Sequence, residues 1–160
     1  MRPSILTPRI LWAALLFSQA IYVALIAGGI LEAPSAPPDP MMLPVLGVVA
    51  LGTAVVSFVL PRILHRNAVA QAMPTIQHQG MGDLSLLRAA YQAGFAPLIV
   101  SLALSEAVGI YGLVLAALGF PLLYCLPFSA LGGVLTLVRF PTERGFLAPF
   151  EERLGRSILG

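Results

Sequence analysis

The sequence predicts an all-α, polytopic membrane protein: four transmembrane helices in an antiparallel bundle, with both termini cytoplasmic. Three observations carry this reading. The chain of 160 residues is 58% hydrophobic and 10% charged, where a soluble domain is about 25% charged, and its mean hydropathy is +0.91. Four apolar runs have the length needed to cross a bilayer core of about 30 Å. All the basic residues, nine arginines and no lysine, fall in the segments that one side of such a bundle presents.

The first span is residues 10–31, ILWAALLFSQAIYVALIAGGIL. Thr7 and Pro8 read as an N-cap followed by proline at the first helical position. The run is 22 residues long, about 33 Å of helix. A secretory signal is the competing reading, because Arg2 and Arg9 precede the run. The apolar part exceeds the usual stretch of about 7–15 residues, and EAPSAPPDP after it offers no small-x-small site free of proline. The second span runs from about Met42 to Leu64, the third from about Ala93 to Leu118, and the fourth from Pro121 to Phe140.

The connections set the orientation. Residues 32–41 carry Glu32 and Asp39 but no arginine, and the turn Leu118-Gly119-Phe120-Pro121 carries no charge. Arg2 and Arg9 precede span one; Arg62, Arg66 and Arg88 lie between spans two and three; Arg139, Arg144, Arg153 and Arg156 follow span four. The positive-inside rule therefore expects the termini and the central connection in the cytoplasm, which is the inner-membrane arrangement if the source is bacterial. Trp12 falls where an interfacial anchor belongs. Gly119 followed by Pro121 reads as a helix stop and restart. The linker APSAPPDP, with four prolines in eight residues, should be extended and stiff.

Residues 65–92 form the largest polar segment, expected as a cytoplasmic loop whose second half extends span three inward from Asp83 as N-cap. In the tail, residues 141–160, Leu147, Phe150, Leu154 and Ile158 share one helical face. That pattern fits an amphipathic helix on the inner membrane surface, or one that docks a partner. The whole is expected to be a single transmembrane domain.

Several function classes are excluded or unsupported. Without lysine or a basic stripe, no nucleic-acid face is indicated. Cys125 has no cysteine to pair with, and His65 and His78 lie thirteen residues apart without a nearby thiol, so no metal and no cofactor are expected. No GxSxG, HExxH or phosphate-binding glycine loop is present, so the chain is not expected to be an enzyme. The expected partners are the bilayer and either further copies of the chain or a larger membrane complex.

What remains is one acid in the wrong solvent. Glu106 lies at the centre of span three, where a carboxylate costs about 2.5–3.5 kcal/mol on insertion scales. Desolvation disfavours its charged form, so the expectation is a carboxyl that holds a proton. Its expected polar support is Gln19 on span one, Thr53 on span two, Ser105 and Tyr111 on span three, and Ser129 on span four, with Ser18 and Ser57 nearby. No arginine or histidine is expected at that depth. The competing reading is structural, since buried polar side chains also act as hydrogen-bond glue between helices. Ser101, Ser105, Gly109 and Gly112 form a ridge of small residues suited to close helix packing. Pro97 and Pro127 are expected to bend their helices.

The run ALSEAVGIYGLVLAAL resembles the carboxylate helix of subunit c, the proteolipid of rotary ATP synthases and ATPases. The matching positions are Glu106, Ala107, Ile110, Tyr111, Gly112, Leu113 and Val114. The resemblance implies that Glu106 is a proton site, with Tyr111 in support. The chain departs from that family in its long central connection, in the two additional spans, and in a second span with only Gly47 and Gly52 where the family has a glycine ladder. As a whole the chain is similar to small four-span bacterial membrane proteins.

Overall fold

A computed structural model of the chain describes residues 5–31, 37–79 and 83–154. They form five helices: α1 (Leu6–Ala27), α2 (Met42–Gln79), α3 (Asp83–Ala117), α4 (Leu122–Val138) and α5 (Glu143–Leu154). No strand occurs among the described residues.

Local chemistry sets the helix ends. Ile5 occupies the N-cap of α1 without a side-chain cap bond, so Thr7 and Pro8 fall within the first turn. A proline is tolerated there because the first N–H groups of a helix have no intrahelical partner. The same helix ends at Ala27, before the expected Leu31, at a glycine pair. Gly28 N–H donates to the Ala24 carbonyl at 2.8 Å, and Gly29 turns to φ +61°. The stop of α3 is a Schellman motif: Gly119, at φ +84°, donates to Ala116 O at 3.0 Å, and Phe120 N–H donates to Leu115 O at 3.1 Å. Asp39 opens α2, its Oδ1 accepting the Met41 N–H at 2.9 Å.

The first half of the segment expected as a polar loop is helix instead, while its second half extends α3 inward from Asp83 as expected. Residues 65–79 continue α2, and 83–92 are the first turns of α3. With 38 residues, α2 is about 57 Å long, well beyond a bilayer core. Its extension is held by an apolar cluster in which Val69 and Met73 of α2, Leu86 and Ala90 of α3, and Leu147 and Phe150 of α5 are buried together. The described part of the tail's amphipathic face, Leu147, Phe150 and Leu154, is thus covered by the chain itself. Ile158, Arg2, Arg156, Glu32 and the Asp83 side chain lie outside the described residues.

Helix α3 is central and packs against each of the other four helices. On one flank α2 runs antiparallel to it; on the other, α1 runs parallel and also contacts α4. Among the described residues α1 and α2 do not meet. The start of α1 and the end of α4 share one end of the bundle: Trp12 Nε1 donates to the Thr136 carbonyl at 2.7 Å, and its ring meets Phe140 edge-on at 4.9 Å. Every described arginine lies towards that end. The opposite end is an apolar cluster of Ile26, Leu115 and Cys125. Outward-facing side chains of α2, including Val48, Leu51 and Val55, are exposed, as in a helix whose solvent is lipid.

Three helices, Leu6–Ala27, Met42–Pro74 and Ser85–Ala117, are long and apolar enough to cross a membrane. A fourth crossing is available if α4 and α5, bent by 56° at their junction, count as one broken span. The fold is that of a helical multi-pass membrane protein.

Candidate functional site

Glu106 projects from α3 towards α1 and is half-buried. Two hydroxyls from α1 meet its carboxyl: Ser18 Oγ donates to Oε1 at 2.7 Å, and Tyr22 Oη donates to the same oxygen at 2.8 Å. Ser18 and Tyr22 reach one acceptor together because residues four apart share a helix face. Tyr22 is the residue that sequence reasoning missed. Its i, i+4 spacing from Ser18 was the available signal.

Ser18 has a second acceptor, since its Oγ also lies 2.7 Å from the Leu15 carbonyl. A hydroxyl carries a single hydrogen, so Ser18 serves one of these oxygens at a time.

The other expected supports take separate places. Gln19 is buried, but its amide faces the backbone carbonyl of Glu106 at 3.5 Å rather than the carboxyl. Its Oε1 is buried without a partner. Thr53 and Tyr111 hydroxyls are 3.4 Å apart across the α2–α3 contact. Ser105 Oγ donates to Ser101 O at 2.8 Å, and Ser129 Oγ donates to Gly109 O at 3.1 Å. Thus Ser18 and Tyr22 meet the carboxyl, Gln19 meets the adjoining backbone, and Thr53, Tyr111, Ser105 and Ser129 bond elsewhere around α3.

The small-residue ridge is where backbones meet. A Cβ at Gly109 would fall 1.9 Å from Gln19 Oε1, and one at Gly112 would fall 2.5 Å from both Ser129 Oγ and the Cys125 carbonyl. Gly132 on α4 faces Gly109 with no room for a side chain. This contact fixes the depth at which α3 carries its acid.

A cation comes within about one helical turn of the acid, on the arginine-rich side, which the sequence reading did not expect. Arg139, at the end of α4, turns back into the bundle. One of its terminal nitrogens donates to Ser101 O at 3.2 Å, to Leu135 O at 3.4 Å and to Ser105 Oγ. The other donates to Ser57 O at 2.9 Å and Ser57 Oγ at 2.7 Å. The guanidinium also lies 4.7 Å above the Phe58 ring. Arginine's long stem lets its charge sit well away from its Cα, which a reading of residue positions along the helix does not register. The guanidinium and Glu106 approach successive residues of α3, about 100° apart around the helix. Each is bonded to neutral partners.

Among the described residues no group of three or more His, Cys, Asp or Glu side chains could hold a metal ion. No family model, no curated protein and no solved structure matches the chain.

Proposed function

We propose that this chain is a proton-binding membrane protein in which Glu106 takes up and releases a proton within the bilayer, as part of a proton-translocating or proton-sensing assembly. The observation that supports this most is the placement of Ser18 between two acceptors, Glu106 Oε1 and Leu15 O. When Glu106 is ionised, the Ser18 and Tyr22 hydroxyls both donate to it. When the acid carries the proton, its O–H donates to Ser18 Oγ, and Ser18 donates to Leu15 O. The site is hydrogen-bonded in either state, so the proton comes and goes without leaving an orphaned polar group, which would itself cost about 1–3 kcal/mol.

In this reading the arginine-rich end faces the cytoplasm, α4 supplies the fourth crossing with α5 on the cytoplasmic side, and the likeness of residues 103–114 to the carboxylate helix of subunit c reflects a shared use of the acid. A structural reading competes on one specific observation. The same Ser18 and Tyr22 bonds tie α1 to α3, and glue of this kind needs no titration.

Infrared difference spectra of the protein in liposomes, taken across a pH series, separate the two readings. Proton binding predicts a carboxyl band that grows on acidification and is missing in Glu106→Gln while the helices remain intact. A carboxyl signal that Glu106→Gln leaves unchanged, over the whole range in which the protein stays folded, assigns Glu106 to the structural role.

A further inference from the structure

A second polar locus lies apart from Glu106, nearer the arginine-rich end. There α2, α3 and the α4–α5 bend line an open cavity of about 540 Å³. That size is within the range of roughly 300–1,000 Å³ typical of small-molecule sites. Its titratable lining residues are Arg62, His65, Arg66 and Arg139. No carboxylate lines it. The remaining wall is mostly apolar and includes the rings of Pro61, Pro97, Pro141 and Pro149, which contribute no backbone N–H.

We infer that this cavity binds the phosphate headgroup of an anionic phospholipid, with the acyl chains leaving over the apolar flank of α2. Three features carry the inference. Arg139 brings a positive charge to the floor of the cavity, and its bonds go to serine and backbone oxygens, which are neutral. A half-buried charge of this kind favours an opposite charge nearby. Arg62 and Arg66, four residues apart on one face of α2, stand at the mouth with exposed side chains and are free to close on a phosphate in the bidentate manner of guanidinium groups. Between them in sequence, His65 Nε2 is buried without a partner in the same wall, a polar atom for which a phosphate oxygen or hydroxyl is a fitting mate.

The position argues for a lipid rather than a free anion. The cavity is flanked by Phe58, 41% exposed on the outer face of α2, and by Phe140, where the Arg9 and Trp12 contacts mark the border between apolar bundle and polar end. A ligand seated there has its charge among arginines and its tail against exposed aliphatic side chains. Basic pockets between membrane helices recognise anionic lipid headgroups on this principle.

The test is native mass spectrometry of the purified full chain in mild detergent, offered equal amounts of phosphatidylglycerol and phosphatidylcholine. Phosphatidylglycerol is expected to be retained preferentially. Removing two arginines, at about 1 kcal/mol each, should reduce that preference by about ten- to thirty-fold in Arg62→Gln/Arg66→Gln. Both side chains are exposed, so the fold should hold; protection of buried Cys125 from a thiol reagent checks it. The pair Arg144→Gln/Arg153→Gln, on α5 and outside the cavity lining, should leave the preference unchanged. Millimolar inorganic phosphate should not displace the lipid. Equal retention of the two lipids overturns the inference. So does an equal loss in both variant pairs, which would mean diffuse surface charge. Displacement by inorganic phosphate would also overturn it, and would make this a free-anion site.

Discussion

Gly132→Ala tests whether backbone contact between α3 and α4 sets the level of the polar layer, and the neighbouring Gly133 is its control. A Cβ at Gly132 falls 2.7 Å from Gly109 N, 2.8 Å from Gly109 Cα and 2.9 Å from Ser105 O. All three are backbone atoms, so no side-chain rotation relieves the clash. Non-bonded carbon contacts are comfortable at about 3.5–4.0 Å, so the helices must part by roughly 0.7 Å or more. A Cβ at Gly133 meets nothing within 4 Å. Both substitutions gain the helix propensity of alanine over glycine, about 1 kcal/mol, and that gain cancels when the two are compared. The difference left is the overpacking cost, about 1–3 kcal/mol, or about 5- to 150-fold in the unfolding equilibrium. Cys125 is the single cysteine and is fully buried in α4, so a thiol-reactive fluorophore reads unfolding on heating in detergent. Gly132→Ala should melt below Gly133→Ala by about 2–4 °C per kcal/mol, and Gly133→Ala at or above the unmodified protein. Equal midpoints for the two variants would refute the contact argument.

Three further predictions use the same protein. A double-mutant cycle between Tyr22→Phe and Glu106→Ala, which removes the acceptor, should show a coupling of about 0.6–1.7 kcal/mol, from the mean to the largest value for hydrogen bonds between membrane helices; strictly additive losses would mean that the Tyr22 hydroxyl contributes nothing through Glu106. Arg139→Lys keeps the charge but lacks the planar fork that reaches Ser57, Ser101 and Ser105 together. It should be destabilised by about 1.5–3 kcal/mol, the worth of one bond to a charged donor, and an unchanged midpoint in the thiol assay contradicts the stapling role. Phe150→Ala removes a side chain with no exposed surface from the α2–α3–α5 cluster, at a cost of about 3–5 kcal/mol. It should release α5, read as faster tryptic cleavage at Arg144 and Arg153 in liposomes while the spans remain protected.

The parts of the fold legible in the sequence are those governed by local chemistry. Hydropathy located the apolar spans, and Gly119 with Pro121 placed the α3–α4 turn, since only a residue at ease with positive φ closes a Schellman motif there. The continuation of α2 through residues 65–79 was not legible. His65-Arg66-Asn67 reads as a polar break, and Val69 and Met73 acquire an apolar partner only when α3 and α5 fold back on them. The site divides in the same way. Glu106 stands out because an acid at mid-span is expensive. Ser18 and Tyr22 as its partners required the rotation of α1 about its own axis, which is set by the fit of Gln19 over Gly109. Arg139 was placed by its position along the chain at the polar end, whereas its charge is carried a side chain's length inward, to Ser57 and Ser105.

The central claim, that Glu106 exchanges a proton within the bundle, is tested most directly by dicyclohexylcarbodiimide, which modifies protonated carboxyls in apolar surroundings. Protein in liposomes is treated across a pH series, and the modified peptides are identified by mass, with exposed Glu143 as an internal comparison. The account predicts modification at Glu106 that fades as pH rises, with Cys125 protected throughout. No modification of Glu106 at any pH, in protein whose Cys125 stays protected, would contradict it and leave the acid as a sealed structural bond between α1 and α3.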